Sequence, residues 1–164
     1  MKVVFLDRDG TIIKDYPDSE WSKIKTPEFL VGTIEALKFI INKNFKIIIV
    51  TNQYLIGEKI ISLQDYNKFT KKFLDTLNEN NIDILDIFYC PHARNQNCNC
   101  IKPKPGLINQ ALSKYHDIDL NNSFYVGDSI CDMQLAKIFN ITFYGINISC
   151  KNKMGSLMDM INLL

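Results

Sequence analysis

Apolar residues fall along this chain in two patterns, short unbroken runs and longer stretches with helical spacing, and the two alternate. The runs are Val3-Val4-Phe5-Leu6, Ile47-Ile48-Ile49-Val50 after Lys46, a stretch within Ile82 to Tyr89, Phe124-Tyr125-Val126 after Ser123, and Ile141 to Tyr144. Short apolar runs rich in β-branched residues, with no polar alternation, predict strands buried on both faces. Between them, Gly32 to Asn44, residues 63–80, Pro105 to Tyr115 and Ile130 to Phe139 carry apolar positions at helical intervals. In 63–80 the stripe is Tyr66, Phe69, Phe73, Leu74 and Leu77, which reads as core. A last short helix is expected near residue 164. Strands alternating with helices imply parallel β-α-β units and right-handed crossovers, hence a three-layer, doubly wound α/β fold. Residues 12–30 hold Tyr16, Pro17, Trp21 and Pro27 without a period, so they are expected to form a long loop beside the sheet edge, anchored by Trp21.

Polar residues follow three of the runs at once. Asp7 and Asp9 follow the first, Thr51-Asn52-Gln53 the second, and Gly127-Asp128-Ser129 the fourth. In an open α/β sheet the carboxyl ends of the strands are where ligands bind. Asp7 and Asp9 repel one another unless a cation lies between them, and Gly10 lets the chain turn sharply just beyond. A hard, oxygen-loving ion such as Mg²⁺ suits that pair. Lys102, in Lys102-Pro103-Lys104-Pro105-Gly106, lies between the third and fourth strands and adds an ammonium. Three carboxylates, a hydroxyl and an ammonium suit a phosphoryl group held with a divalent metal, and a carboxylate can itself attack phosphorus. Other phosphate chemistries lack their signatures: there is no G-x-x-x-x-G-K-[ST], no G-x-G-x-x-G and no H-E-x-x-H. The only histidines are His92 and His116, and His116 reads as a solvated helix-end residue.

The chain has 164 residues, 46% apolar and 23% charged, which describes one ordinary globular domain over residues 1–164. A net charge of +1 gives no general pull toward nucleic acid or membrane, and no apolar run approaches the ~20 residues that span a bilayer. With the first strand starting just after Met1, no signal peptide is expected and the chain reads as a cytoplasmic monomer. Its expected partner is a small phosphorylated metabolite. The N-x-[ST] sites at Asn121, Asn140 and Asn147 are then accidental. Five cysteines, an odd number, argue for metal binding or plain burial over a disulfide framework. Four soft ligands fall within eleven residues, Cys90-x-His92-x5-Cys98-x-Cys100, and suit tetrahedral Zn²⁺. Four protein ligands leave no position for water, so this zinc is expected to be structural and to fix Lys102 two residues beyond. Cys131 and Cys150 read as small apolar residues.

Four segments in this order carry a resemblance: Phe5-Leu6-Asp7-Arg8-Asp9-Gly10-Thr11, Thr51-Asn52-Gln53, Lys102-Pro103-Lys104-Pro105-Gly106 and Val126-Gly127-Asp128-Ser129-Ile130-Cys131-Asp132. Together they resemble the four motifs of the haloacid dehalogenase (HAD) superfamily of phosphatases. With the Cys/His cluster they resemble subfamily IIIA, the D,D-heptose 1,7-bisphosphate phosphatase and histidinol-phosphatase branch. The resemblance runs from residue 3 to about 146. It implies a Rossmann-like fold, Asp7 as the nucleophile, and Asp9 as the general acid and then base. It also implies Mg²⁺ on Asp7, the Asp9 carbonyl and Asp128, with Thr51 and Asn52 binding phosphate. Lys102 would screen charge, and Asp132 would either support the metal site or cap a helix.

The chain departs from that branch where substrates are chosen. Ile101 stands where heptose-bisphosphate members carry Arg, and Tyr54-Leu55-Ile56-Gly57-Glu58-Lys59 replaces a Ser-Gly-Ile-Ala-Arg-Gly type of segment. Lost Arg means lost bidentate recognition of a second anion. The expected substrate is still a sugar phosphate such as D-glycero-D-manno-heptose 1,7-bisphosphate. Histidinol phosphate, with Glu58 or Asp15 to read its charge, and nucleic-acid 3′ ends are alternatives. A catalytically weak binding module is the alternative of another class. The chain is too short for a cap domain, so the zinc loop and residues 12–30 should wall the site.

Overall fold

The computed structural model describes all residues, 1–164, and places one six-stranded, all-parallel sheet at the centre. The strands are β1 (Val3–Leu6), β2 (Lys46–Asn52), β3 (Asp86–Cys90), β4 (Phe124–Gly127), β5 (Thr142–Ile146) and β6 (Lys153–Met154), in the order β3-β2-β1-β4-β5-β6. The helices are α1 (Thr33–Asn42), α2 (Tyr54–Gly57), α3 (Leu63–Glu79), α4 (Gly106–Lys114) and α5 (Ile130–Ile138), with 3₁₀ turns at Asp18–Lys23, Leu120–Asn122 and Leu157–Asn162.

The unbroken apolar runs have their reason in the two cores. Val4 and Leu6 of β1 point into one, with Ile47 and Ile49 of β2 and Phe124 and Val126 of β4. Val3 and Phe5 point into the other, with Ile48, Val50 and Tyr125. Strand side chains alternate between faces, so a sheet covered on both sides needs apolar residues at every position. Each fully buried side chain of this size contributes about 1.5–3 kcal/mol, and all four residues of β1 are buried. The first core is closed by α3, through Phe69, Phe73 and Leu77, and by Leu157 and Met160; the second by Leu107, Ile108 and Ala111 of α4 and Leu135 and Ala136 of α5. Capping boxes start two helices: Ser62 with Asp65 at α3 and Ser129 with Asp132 at α5.

Several boundaries differ from the sequence pattern. Pairing in the third strand begins at Asp86, because Asn81 turns through a left-handed conformation and Ile82 plugs the core instead of joining the ladder. The fifth strand extends to Ile146, and the two-residue β6 beside it carries no apolar run to announce it. The C-terminal helix is 3₁₀, and α2 was hidden inside a segment too short for a period. The 12–30 segment is a loop as expected, pinned by bridges Asp9–Ile13 and Ile13–Phe29 and by Trp21, which is 6% exposed.

Candidate active site and metal centre

The strand-end groups meet at the carboxyl edge, where β1 lies between β2 and β4. The register sets Leu6 beside Ile49 and Val126, and the Asp7 N–H donates to the Val126 carbonyl at 3.0 Å, so Asp7 is the first residue past the ladder. Gly10 adopts φ 84°, and a Cβ there would overlap the Asp128 carboxylate. Only glycine lets the β1 loop turn this tightly against the β4 loop. Asp7, Asp9, Thr51, Asn52, Lys102 and Asp128 all line one cleft of about 270 Å³.

Lys102 is the buried hinge of this arrangement. Its Nζ donates to Asp7 Oδ1 at 2.6 Å, Asp132 Oδ1 at 2.7 Å and the Val50 carbonyl at 2.9 Å, and the residue is 5% exposed. Burial works to lower the pKa of this ammonium, but Asp132 and Asp7 outweigh it and hold the group charged, well above its ordinary value. Lys102 sits on a loop, and Asn52 fixes that loop: its Oδ1 accepts the Lys102 N–H at 2.8 Å and its Nδ2 donates to the Lys102 carbonyl at 3.3 Å. The Asn52 amide thus places Lys102 and keeps its second Nδ2–H at the cleft it lines, while Thr51 Oγ1 accepts from Gln53 Nε2 at 2.9 Å and keeps its own proton to donate. Asp132 both caps α5 and braces Lys102, and the Tyr125 hydroxyl donates to it at 2.9 Å.

Charge does not balance here without a cation. Carboxylate oxygens of Asp7, Asp128 and Asp132 lie within 4.8 Å of one another, and Lys102 is the only lysine or arginine lining the cleft. Burial pushes the Asp7 carboxyl up despite Lys102, and pushes Asp128 up to about 6 with repulsion from Asp132 added. Both oxygens of Asp132 are taken, Oδ1 by Lys102 and Tyr125 and Oδ2 by Ser129, so Asp7 and Asp128 are the carboxylates that face the cleft. A hard divalent ion fits that oxygen donor set.

Asp9 is held from behind. Arg8 Nε and Nη2 donate to its two oxygens at 2.8 and 3.0 Å, and Gln53 Nε2 adds a bond at 2.9 Å. Neither Arg8, Gln53 nor Tyr125 stood out by residue type. Arg8 lies between two aspartates, on the face opposite them by strand alternation, and that position was the one available signal.

The far wall of the cleft carries Asp15, Asp18, Trp21 and Tyr54. Asp15 Oδ1 accepts from the Tyr16 N–H and Trp21 Nε1, and no cation pairs with it; Asp18 accepts from the Tyr54 hydroxyl at 2.9 Å and lies 3.4 Å from Arg94. Glu58 does not reach the cleft, because Arg94 binds both its oxygens at 2.7 Å; this corrects its suggested part in reading substrate. Ile101 packs against the second core. Cys131, taken for a plain apolar residue, lines the cleft, and His116 is exposed.

Cys90 Sγ, His92 Nδ1, Cys98 Sγ and Cys100 Sγ all lie within 4.8 Å of one another, and no disulfide joins them. Cys90 to His92 and Cys90 to Cys98 measure 3.6 Å, the spacing of neighbours on a small tetrahedron. Against opposing burial, the Ile101 and Cys100 N–H groups bring the Cys98 thiol down to about 6. Three thiols and an imidazole fit a zinc ion. The loop packs on α2 so closely that a Cβ at Gly57 would strike the backbone of residues 91–93.

Residues 2–145 match the model of the family described as polynucleotide kinase 3 phosphatase. A D-glycero-alpha-D-manno-heptose-1,7-bisphosphate 7-phosphatase of Photorhabdus laumondii is 40% identical over 140 residues, covering 81% of this chain and 75% of the relative. The histidine biosynthesis bifunctional protein HisB of Blochmanniella floridana is 36% identical over 149 residues, 88% of this chain and 40% of that protein. Among solved structures, a D,D-heptose 1,7-bisphosphate phosphatase from B. bronchiseptica, complexed with magnesium and phosphate, superposes with a TM-score of 0.86 at 23% identity, covering 99% of this chain and 97% of that one. The family match over residues 2–145 places the chain in the polynucleotide kinase 3 phosphatase family, and its fold is the one seen in solved HAD-type phosphatases.

Proposed function

We propose that the chain is a Mg²⁺-dependent phosphomonoester hydrolase working through an aspartyl-phosphate on Asp7. The observation that carries this is the buried Asp7 carboxylate, 2.6 Å from the Lys102 ammonium and within metal-sharing distance of Asp128 at the carboxyl edge of the sheet. Asp7 attacks phosphorus in line and the ester bond to the alcohol breaks. Asp9 protonates the departing oxygen, then takes a proton from the water that attacks the aspartyl-phosphate, which frees orthophosphate and restores Asp7. Thr51 donates to a phosphate oxygen, and Lys102 offsets charge between nucleophile and phosphate, placed for this by Asn52. Asp7, the Asp9 carbonyl and Asp128 would hold Mg²⁺, which supplies neutralisation of the phosphate oxygens when bound. Cys90, His92, Cys98 and Cys100 would hold a structural Zn²⁺.

The substrate is a small phosphorylated metabolite. A sugar phosphate such as the heptose bisphosphate is the first reading, supported by the names of the relatives. The acidic far wall, where Asp18 is paired with Arg94 but Asp15 has no cation partner, favours a second reading in which the alcohol is cationic, as in histidinol phosphate. A nucleic-acid 3′ end, a long polyanion, fits this wall poorly. The test is phosphate release from p-nitrophenyl phosphate with and without Mg²⁺. Asp7→Asn should lower it by at least about a thousandfold; activity that survives the change sinks the mechanism, and no activity on any ester favours the binding-module reading. Ranking heptose bisphosphate against histidinol phosphate by kcat/KM then chooses between substrates.

A further inference from the structure

Behind the cleft lies a second cavity of about 390 Å³ with the opposite chemistry, within the size range of small-molecule sites. Its floor is Trp21, Ile24, Ile61, Tyr66 and Phe69, and its mouth carries Lys25, Lys68, Lys71 and Lys72. Asp65 lies 3.8 Å from Lys25 and Asp75 2.6 Å from Lys71, but neither Lys68 nor Lys72 has a carboxylate within ion-pair distance. The mouth is therefore positive, over an aromatic bed. Arg8 lines this cavity and meets the cleft through Asp9. Its guanidinium lies over the rings of Phe69 at 5.2 Å, Tyr66 at 5.6 Å and Trp21 at 6.0 Å, and its Nη1 is buried with no partner. Its other nitrogens hold Asp9, and Trp21 and Gln53 line both cavities.

We propose that this second cavity binds a small organic anion with a flat apolar body, its charge at Lys68 and Lys72, and that its occupancy is felt in the cleft through Trp21 and the Arg8–Asp9 pair. A flat body gains by burial against the aromatic floor, and a single negative charge answers two ammoniums that no carboxylate neutralises, Lys72 donating only to the Lys25 carbonyl and the Thr26 hydroxyl. The cleft, lined by carboxylates, would repel the same molecule in the absence of a metal.

Binding is tested with biphenyl-4-carboxylate and its neutral amide on protein carrying 5-fluorotryptophan. Trp21 is the chain's only tryptophan, so one ¹⁹F resonance reports. The carboxylate should shift that resonance saturably and bind at least tenfold tighter than the amide. The Lys68→Gln/Lys72→Gln pair, both exposed, should remove the preference, and inorganic phosphate should not displace the ligand. Equal binding of acid and amide, displacement by phosphate, or no shift at all overturns the proposal. The coupling half rests on the phosphatase reading: saturating carboxylate should change kcat or KM for p-nitrophenyl phosphate at least twofold without competing with it. Competition, or no change while the resonance shifts, overturns the coupling but leaves the binding site standing. Loss of hydrolysis in ligand-free protein would instead point at the phosphatase reading itself.

Discussion

At Asp132 two tasks meet in one carboxylate: Oδ2 closes the capping box of α5 while Oδ1 receives Lys102 and Tyr125. Asp132→Asn keeps the size and some of the hydrogen bonds but strips the buried ammonium of a counterion, which costs about 3 kcal/mol in such settings. Urea unfolding should register that loss and activity should fall with it; an unchanged midpoint would mean Asp132 only caps. Asp128 carries a pH signature. Burial raises it to about 6 in the folded protein, so there it binds its proton more tightly than in the unfolded chain. Its contribution to stability is therefore complete below about pH 4 and is lost as pH rises through about 6. In Mg²⁺-free buffer the melting temperature of the wild type, measured against Asp128→Asn, should improve by about 3 °C between pH 7.5 and 5. A flat difference would show that burial does not act on this group. Asp7, Asp9 and Asp128 were readable because charged residues at the ends of apolar runs are conspicuous, and Lys102 through the Lys102-Pro103-Lys104-Pro105-Gly106 segment that carries it. Arg8, Gln53 and Tyr125 were not, since their roles depend on which way a loop or strand faces, and no residue type encodes that.

Among the elements, strands and long helices were legible because each buries a face, and burial writes a period. What escaped has no such face: α2, β6 and the 3₁₀ turns at Asp18–Lys23 and Leu120–Asn122 are too short. Residues 12–30 wall the cleft as expected, through Asp15, Asp18 and Trp21, whereas the Cys/His loop contributes no lining residue and acts on the wall from behind. Arg94 of the Cys/His loop binds Glu58 through both oxygens, lies 4.3 Å from the centre of the Tyr54 ring and approaches Asp18 at 3.4 Å. One side chain thus ties the metal loop to α2 and to the 18–23 turn. An exposed pair of this kind adds little to stability. Its effect should lie in placing Tyr54 and Asp18. Arg94→Ala is expected to raise KM for the preferred substrate about fivefold, with kcat and the melting temperature nearly unchanged. Equal KM in both proteins would reduce the network to surface decoration.

For the molecule as a whole, the alternation of patterns announced the doubly wound architecture, while the order of strands had to come from packing. That order puts β1 at the centre, flanked by residues 46–52 on one side and 124–127 on the other. The loop with Lys102 has few apolar residues of its own, and its ligand cluster should supply the missing stability. Cys98→Ser should therefore lower bound zinc by about one ion per chain by elemental analysis, with amide exchange quickening through residues 91–104. Full zinc retention would contradict the site.

The central place of β1 also bears on how the polypeptide is made. Its first partner leaves the ribosome within some fifty residues, but the second follows more than a hundred residues after β1. Until then Asp7 has neither Asp128 beside it nor Lys102 braced by Asp132. A nascent chain stalled short of β4 would hold half a sheet and an acidic edge with nothing to neutralise it. Catalytic competence should therefore arrive in one step late in translation, when β4 docks.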